Sequence, residues 1–198
     1  MTIVLDPTNG ITAPMYGGAI ASNAVTPSVS MKNRIINGAM VIDQRNAGAS
    51  ITPTTDTYSV DRWKCNVSAS SKYSAQQNAG SVTPPAGFTN YFGVTSLSAY
   101  TVGAGETYGI FQSIEGYNTA DLNWGTANAK TVTLSFWVRS SLTGTFGGCV
   151  QNNTDLFYPF TYTISSANTW EQKTITIAGD TSGTWSSTNT GGLIVIWD

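Results

Sequence analysis

The sequence predicts an all-β protein, a two-sheet antiparallel β-sandwich (jelly roll) preceded by an extended N-terminal arm. Three observations predict it. Charged residues fill only 10% of the 198 positions, far below the usual quarter for a soluble domain, with Thr, Ser, Asn and Gly in their place. Apolar residues recur with a period of two and not 3.6. Turn-forming groups separate the alternating runs: Asn37-Gly38, Asn46-Ala47-Gly48, Pro84-Pro85-Ala86-Gly87, Gly103-Ala104-Gly105 and Gly179–Gly183. Many short strands at such spacing indicate a sandwich.

Residues 1–31 form the arm and residues 32–198 the sandwich domain. In the arm, Asp6 is the only charge, and Pro7, Pro14 and Pro27 break regular elements. Ile3, Leu5, Ile11, Met15, Tyr16 and Ile20 make it too apolar for a solvated linker. They are candidates for anchoring against a partner, against the alternative of a free tail.

From Lys32 onward the first strand candidate is Arg34–Ile42. Next comes Trp63-Lys64-Cys65-Asn66-Val67, which puts Trp63, Cys65 and Val67 on one face and makes Trp63 a core residue. Lys72–Gln77, Tyr91–Ala99 and Thr107–Gly116 follow. The clearest strand is Thr131–Arg139, where Val132, Leu134, Phe136 and Val138 point one way and Thr131, Thr133, Ser135, Trp137 and Arg139 the other. Thr145–Gln151, Phe157–Ser165 and a strand through Ile175 and Ile177 complete the alternating set. Leu193–Trp197 is a continuous apolar run, the pattern of a strand buried on both faces. Because the chain stops one residue later, that run is expected to lie at a sheet edge and the chain to be part of a longer one.

Nine Lys and Arg against eleven Asp and Glu leave a net charge of −2, with no basic patch to neutralise phosphates. No run is long enough to cross a membrane. The first basic residue is Lys32 and Asp6 interrupts the early apolar stretch, so the N-terminus lacks a signal-peptide pattern. Histidine is absent, which removes Ser-His-Asp and Cys-His catalysis and the commonest metal ligand. Neither a metal nor a cofactor is expected. Cys65 and Cys149 are either bridged or, the favoured reading, two small buried hydrophobes.

The one enzymatic route left is a pair of carboxylates on a glycosidic bond, drawn from Asp61, Glu106, Glu115, Asp121, Asp155 and Glu171. None lies in a motif, and the chain is read as a non-enzyme. Aromatic residues carry the stronger signal. Trp124, Trp185, Trp137, Tyr117 and Tyr158 are candidates for carbohydrate binding, because rings stack on sugar C–H faces while Asn, Gln and Thr bond hydroxyls. Burial in the core is the competing reading for each.

KNRIINGAMVIDQRNAG (32–48) followed by YSVDRW (58–63) resembles the opening of a virion domain of tailed bacteriophages and prophages, with its "N-x-I-I-N-G" and "Y-x-x-D-R-W" strands. The likeness continues through GIFQSIEG (109–116), residues 121–138 and residues 168–185. LDPTNGITAP (5–14) resembles the openings of marine phage fibre-like proteins. The sandwich also resembles the galactose-binding-like jelly roll of carbohydrate-binding modules. What this resemblance implies is a virion structural protein of tail-fibre type, assembled in the host cytoplasm. Its partners would be other virion proteins and further copies of itself, a trimer being favoured, with host-surface glycan at the far end. A capsid decoration or head-fibre protein, a carbohydrate-binding module and, as the outsider, a glycan depolymerase are the alternatives. The family carries no catalytic residues to transfer.

Overall fold

The computed structural model describes residues 32–154 and 156–198 in full and, ahead of them, the backbone of Val4–Asp6 and Gly10–Thr12. The chain divides into two compact units, Met1–Asn33 and Arg34–Asp198. In the first, β1 (Val4–Asp6) and β2 (Gly10–Thr12) pair antiparallel with Leu5 opposite Ile11. The arm thus contains a short hairpin where proline spacing had suggested no regular element: β1 ends before Pro7, and β2 lies between Pro7 and Pro14.

The second unit contains β3 (Thr57–Tyr58), β4 (Lys64–Val67), β5 (Tyr73–Gln77), β6 (Phe92–Ser96), β7 (Tyr108–Glu115), β8 (Val132–Val138), β9 (Gly144–Gln151), β10 (Phe157–Ile164), β11 (Glu171–Ile177) and β12 (Gly191–Trp197). Six of these form one antiparallel sheet in the order β10-β9-β12-β7-β4-β3. The facing layer is split into two ladders, β11-β8 and β5-β6. From β4 onward the chain repeatedly crosses from the large sheet to the facing layer and back, which is jelly-roll connectivity.

Side-chain alternation determines what fills the space between the layers. Ile114, Val150, Phe160, Leu193 and Val195 of the large sheet meet Leu134 and Ile177 of the β11-β8 ladder in the main core. Cys65 meets Tyr73 and Ala75 of β5 in a second cluster, with Val67, Tyr108 and Ile110 packed against it. Trp197 joins the layers: its ring lies 5.7 Å from that of Trp63 and 5.4 Å from that of Phe136. Trp63 is buried, as its phase with Cys65 predicts.

Two expectations fail here for physical reasons. Leu193–Trp197 is no edge: β12 pairs with β7 on one side and β9 on the other. A strand inserted between two others needs no later strand to protect it, and strand order is invisible to periodicity. Arg34–Ile42 is not a strand. Asn37 (φ 53°) and Met40 (φ 56°) adopt left-handed backbone, which an extended strand cannot accommodate, so the Asn37-Gly38 pair folds the segment into turns.

The cysteines are both free, Cys65 buried and Cys149 half-buried. Cys65 lies on β4 and Cys149 on β9, with β7 and β12 between them. Three strand spacings of ~4.8 Å exceed the ~7 Å limit for a bridge. Burial pushes the Cys65 thiol up to about 11.

Candidate functional site

Residues 34–46 and 59–63 build an interlocked loop structure over one part of the sandwich. Asn37 is its centre. Its Nδ2 donates to the carbonyls of Ile42 (2.8 Å) and Asp61 (2.9 Å), and its Oδ1 accepts from the Ile42 amide (3.0 Å). Its own carbonyl accepts the indole N–H of Trp63 at 3.1 Å. The Asp61 carboxylate accepts from the Gln44 amide at 2.5 Å, and Asn46 donates to the Ser59 carbonyl at 2.8 Å. Every one of these bonds joins the first motif to itself or to the second.

The loop is tied inward as well. Gln112, fully buried on β7, accepts from the Ile36 amide at 2.7 Å and donates to the Ile36 carbonyl at 2.8 Å. This mimics a strand pairing with a side chain. Arg34 makes a bidentate pair with Asp121 at 2.7 and 2.8 Å and also donates to the Asn118 carbonyl. Arg62, itself left-handed at φ 72°, reaches Glu115 at 3.0 Å. The Glu115 carboxyl is held below its usual range by a backbone hydrogen bond and by Arg62. Sequence reading missed Gln112 and Arg34, since an isolated Gln or Arg in a strand-like run gives no signal of its own.

The candidate carbohydrate residues do not come together in one place. Trp124, Trp185 and Tyr117 gather at one end of the sandwich, on the loops before β8 and before β12. Trp124 is only 8% exposed. Its indole packs edge-on to Trp185 at 4.6 Å and donates to the Lys130 carbonyl at 2.7 Å. A ring buried in this way offers no face to a sugar, so Trp124 is a core residue and the expectation is corrected. Trp185 is half-buried, with its N–H spent on Asp180 at 3.1 Å. The cavity beside the two rings, lined by Thr119, Leu122, Ser186 and Gly192, holds about 50 Å³. That is room for a water or two, against at least ~300 Å³ for a typical ligand pocket. Tyr117 is 69% exposed, its amide held by the Thr188 carbonyl. Tyr158 is an exposed residue near the start of β10, opposite Val150.

Trp137 stands elsewhere and differs in kind. Alternation along β8 turns Leu134 and Phe136 into the core and leaves Thr133, Ser135 and Trp137 outside. Register places Gln172 beside Trp137, Thr174 beside Ser135 and Thr176 beside Thr133. Gln172 Nε2 donates to Ser135 Oγ at 3.3 Å. The result is a surface of one exposed indole, one amide and several hydroxyls. A ring to stack on and short polar groups around it can hold the apolar face and the hydroxyls of a sugar.

The described carboxylates named as catalytic candidates all have structural partners. Asp61 holds Gln44, Asp121 holds Arg34 and Glu115 holds Arg62. Glu106 accepts from Tyr100 and the Gly103 amide. Glu171 accepts from Lys173 at 2.6 Å and from the Ser165 and Ser166 amides, contacts that lower its pKa, with Lys173 first. Asp155 lies outside the described residues. Among the described residues no group of three or more Cys, Asp or Glu could hold a metal ion. No helix there is long and apolar enough to cross a membrane, which says nothing about strands.

Of the anchoring candidates, Leu5 and Ile11 face each other in register across the hairpin. Ile3, Met15, Tyr16 and Ile20 lie outside the described residues. No family model, curated protein or solved structure matches this chain.

Proposed function

We propose that this chain is a structural protein of a tailed-phage virion, of tail-fibre type, in which the sandwich is a rigid binding module and residues 1–31 attach it to the particle. The observation that supports this reading is the interlocked loop. Of the residues that carry the resemblance to phage virion domains, Asn37, Asp61 and Trp63 hold the loops together through side-chain hydrogen bonds, and Arg62 pairs with Glu115. The resemblance therefore concerns a physically coherent unit and not scattered identities. In this reading the module does no chemistry, and its carboxylates are structural. Detection of the chain by mass spectrometry in gradient-purified particles, with gold-labelled antibody at the tail, is the expected result. Absence from the particle contradicts the proposal, and label confined to the head favours the decoration-protein alternative.

A second reading joins the first: host-surface glycan binds on the outer face of the β11-β8 ladder. Trp137, exposed beside Gln172, supports it. In glycan-array binding, Trp137→Ala abolishes the signal while Trp185→Ala leaves it. The reverse pattern moves the site to the loop end.

A further inference from the structure

The interlocked loop is closed largely by side-chain amides, and one of them lies in a chemically unstable sequence. Asparagine followed by glycine loses its side-chain amide more readily than any other asparagine pair, because glycine has no side chain to crowd the approach of its own nitrogen. The chain contains two such pairs, Asn9-Gly10 and Asn37-Gly38. In the reaction at Asn37, the Gly38 backbone nitrogen attacks Cγ and forms a new C–N bond. The Cγ–Nδ2 bond breaks, the proton of the attacking nitrogen passes to the departing group, and ammonia leaves behind a cyclic succinimide. Water from the solvent then opens the ring at either carbonyl, which gives aspartate or isoaspartate at position 37.

Closing that ring needs rotation about the Cα–Cβ bond of Asn37 and about its Cα–C bond, and the loop opposes both. The side chain is held by the Ile42 carbonyl, the Asp61 carbonyl and the Ile42 amide at 2.8, 2.9 and 3.0 Å. The following peptide plane is held because the Asn37 carbonyl accepts from the Met40 amide at 3.0 Å and from the Trp63 indole at 3.1 Å. Gly38 itself is exposed, so hydrogen bonding restrains the reaction and shielding from water does not. The product does not fit the place the amide filled. Nδ2 donates to two carbonyl oxygens, and a carboxylate oxygen in its position has no proton to donate to either. Isoaspartate also adds a carbon to the main chain at the turn itself. We propose that Asn37 is a modification site gated by the loop: it deamidates only when the loop opens, and once deamidated it keeps the loop from closing on Trp63. The bonds of Gln112 to Ile36 and of Arg34 to Asp121 do not involve Asn37, so the change is confined to the loop. This inference is independent of the virion reading.

The experiment ages the full chain at neutral pH, with Asn9→Gln introduced so that a single Asn-Gly pair remains. Peptide mapping counts aspartate and isoaspartate at position 37, against a synthetic peptide of residues 34–46. The expected rate in the folded chain is at least about tenfold below that in the peptide, and it climbs when urea is added below the unfolding midpoint, as a reaction limited by local opening does. The Asp61 amide bonds the Ile42 carbonyl and the Gln44 amide bonds the Asp61 carboxylate, so both report on closure. In the deamidated fraction their hydrogen exchange accelerates by about tenfold or more, while the amides of β9 and β12 keep their protection. Asn37→Asp, made directly, shows the same pattern without ageing. Gly38→Ala leaves the side-chain bonds in place, its added Cβ meeting the Ile35 side chain at 3.1 Å, and its loop amides stay protected after the parent chain has lost them. Equal rates in the folded chain and the peptide overturn the gating. A deamidated chain whose Asp61 and Gln44 amides remain protected overturns the effect on closure. Loss of protection in β9 and β12 as well, in the aged chain or in Asn37→Asp, overturns its confinement to the loop.

Discussion

At the scale of the residue, the side chains that decide this structure are amides. Asn37 replaces three backbone partners and holds Trp63 through its carbonyl. Its left-handed backbone suits Asn better than most residues. Asn37→Ala removes the side-chain bonds and strains the backbone, and leaves the Ile42 and Asp61 groups to find water. The expected cost is ~2–3 kcal/mol, measured by urea unfolding, with Asn37→Gly costing less because it keeps the backbone conformation; a loss below ~0.5 kcal/mol would mean that the loop is not load-sharing. Gln112→Leu leaves both polar groups of Ile36 unpaired beside a buried strand, and a similar ~2–4 kcal/mol is expected.

The pH dependence follows from the carboxylates. Glu106, Glu115, Glu171 and Asp180 are all held below their ordinary values, mainly by hydrogen bonds. A depressed folded-state pKa contributes stability that is complete above the unfolded-state value and is lost as pH falls through the folded one. The melting temperature is therefore level near neutrality and declines once pH drops below the ordinary values of 4.5 for Glu and 3.8 for Asp. Asp198, raised by burial, works in the opposite sense and blunts the decline. A melting temperature that rises through this acid range would contradict the assignment.

At the scale of the element, β8 was fully legible in the sequence and the 34–42 segment was not. On β8 every second residue faces one way, and the structure keeps both faces as read. In the 34–42 segment Ile35, Ile36, Met40, Val41 and Ile42 mimic a strand, but only Ile35 packs against the main core. Ile36, Val41 and Ile42 stay exposed. What overrides their pattern is a set of side-chain bonds from Asn37, Gln77 and Gln112, far apart in sequence and unreadable by any local rule. Trp124 was misplaced for the same reason: its burial depends on Trp185 and Lys130, not on its neighbours. The Trp137 face, by contrast, needed only alternation.

Close packing of β9 against β12 and β10 yields a further prediction at this scale. A Cβ on Gly148 would lie 2.4 Å from the Ile196 carbonyl oxygen and 2.6 Å from the Phe160 ring. Backbone and a core ring cannot both yield, so Gly148→Ala costs at least ~1–3 kcal/mol. In a domain of this size that lowers the melting temperature by roughly 3–10 °C. An unchanged melting curve would show that the sheet is looser at its centre than its register implies.

At the scale of the whole molecule, one sheet divides the labour. Its inner face holds the core, while the separate β11-β8 ladder presents an exposed indole among amide and hydroxyl groups. Such an arrangement suits a subunit that is fixed on one side and touches something on another, which is the behaviour the virion proposal requires. The class of the fold was readable from composition and alternation; the strand order that makes the surfaces was not, because pairing between β12, β7 and β9 is decided by contacts across the whole chain. The most direct measurement of the central claim is a cryo-electron microscopy map of the intact particle with this chain located in it. The account predicts density for the Arg34–Asp198 sandwich on the tail, with residues 1–31 against another virion protein and Trp137 facing outward. A particle map that lacks this chain, or that holds it with residues 1–31 touching nothing, would contradict it.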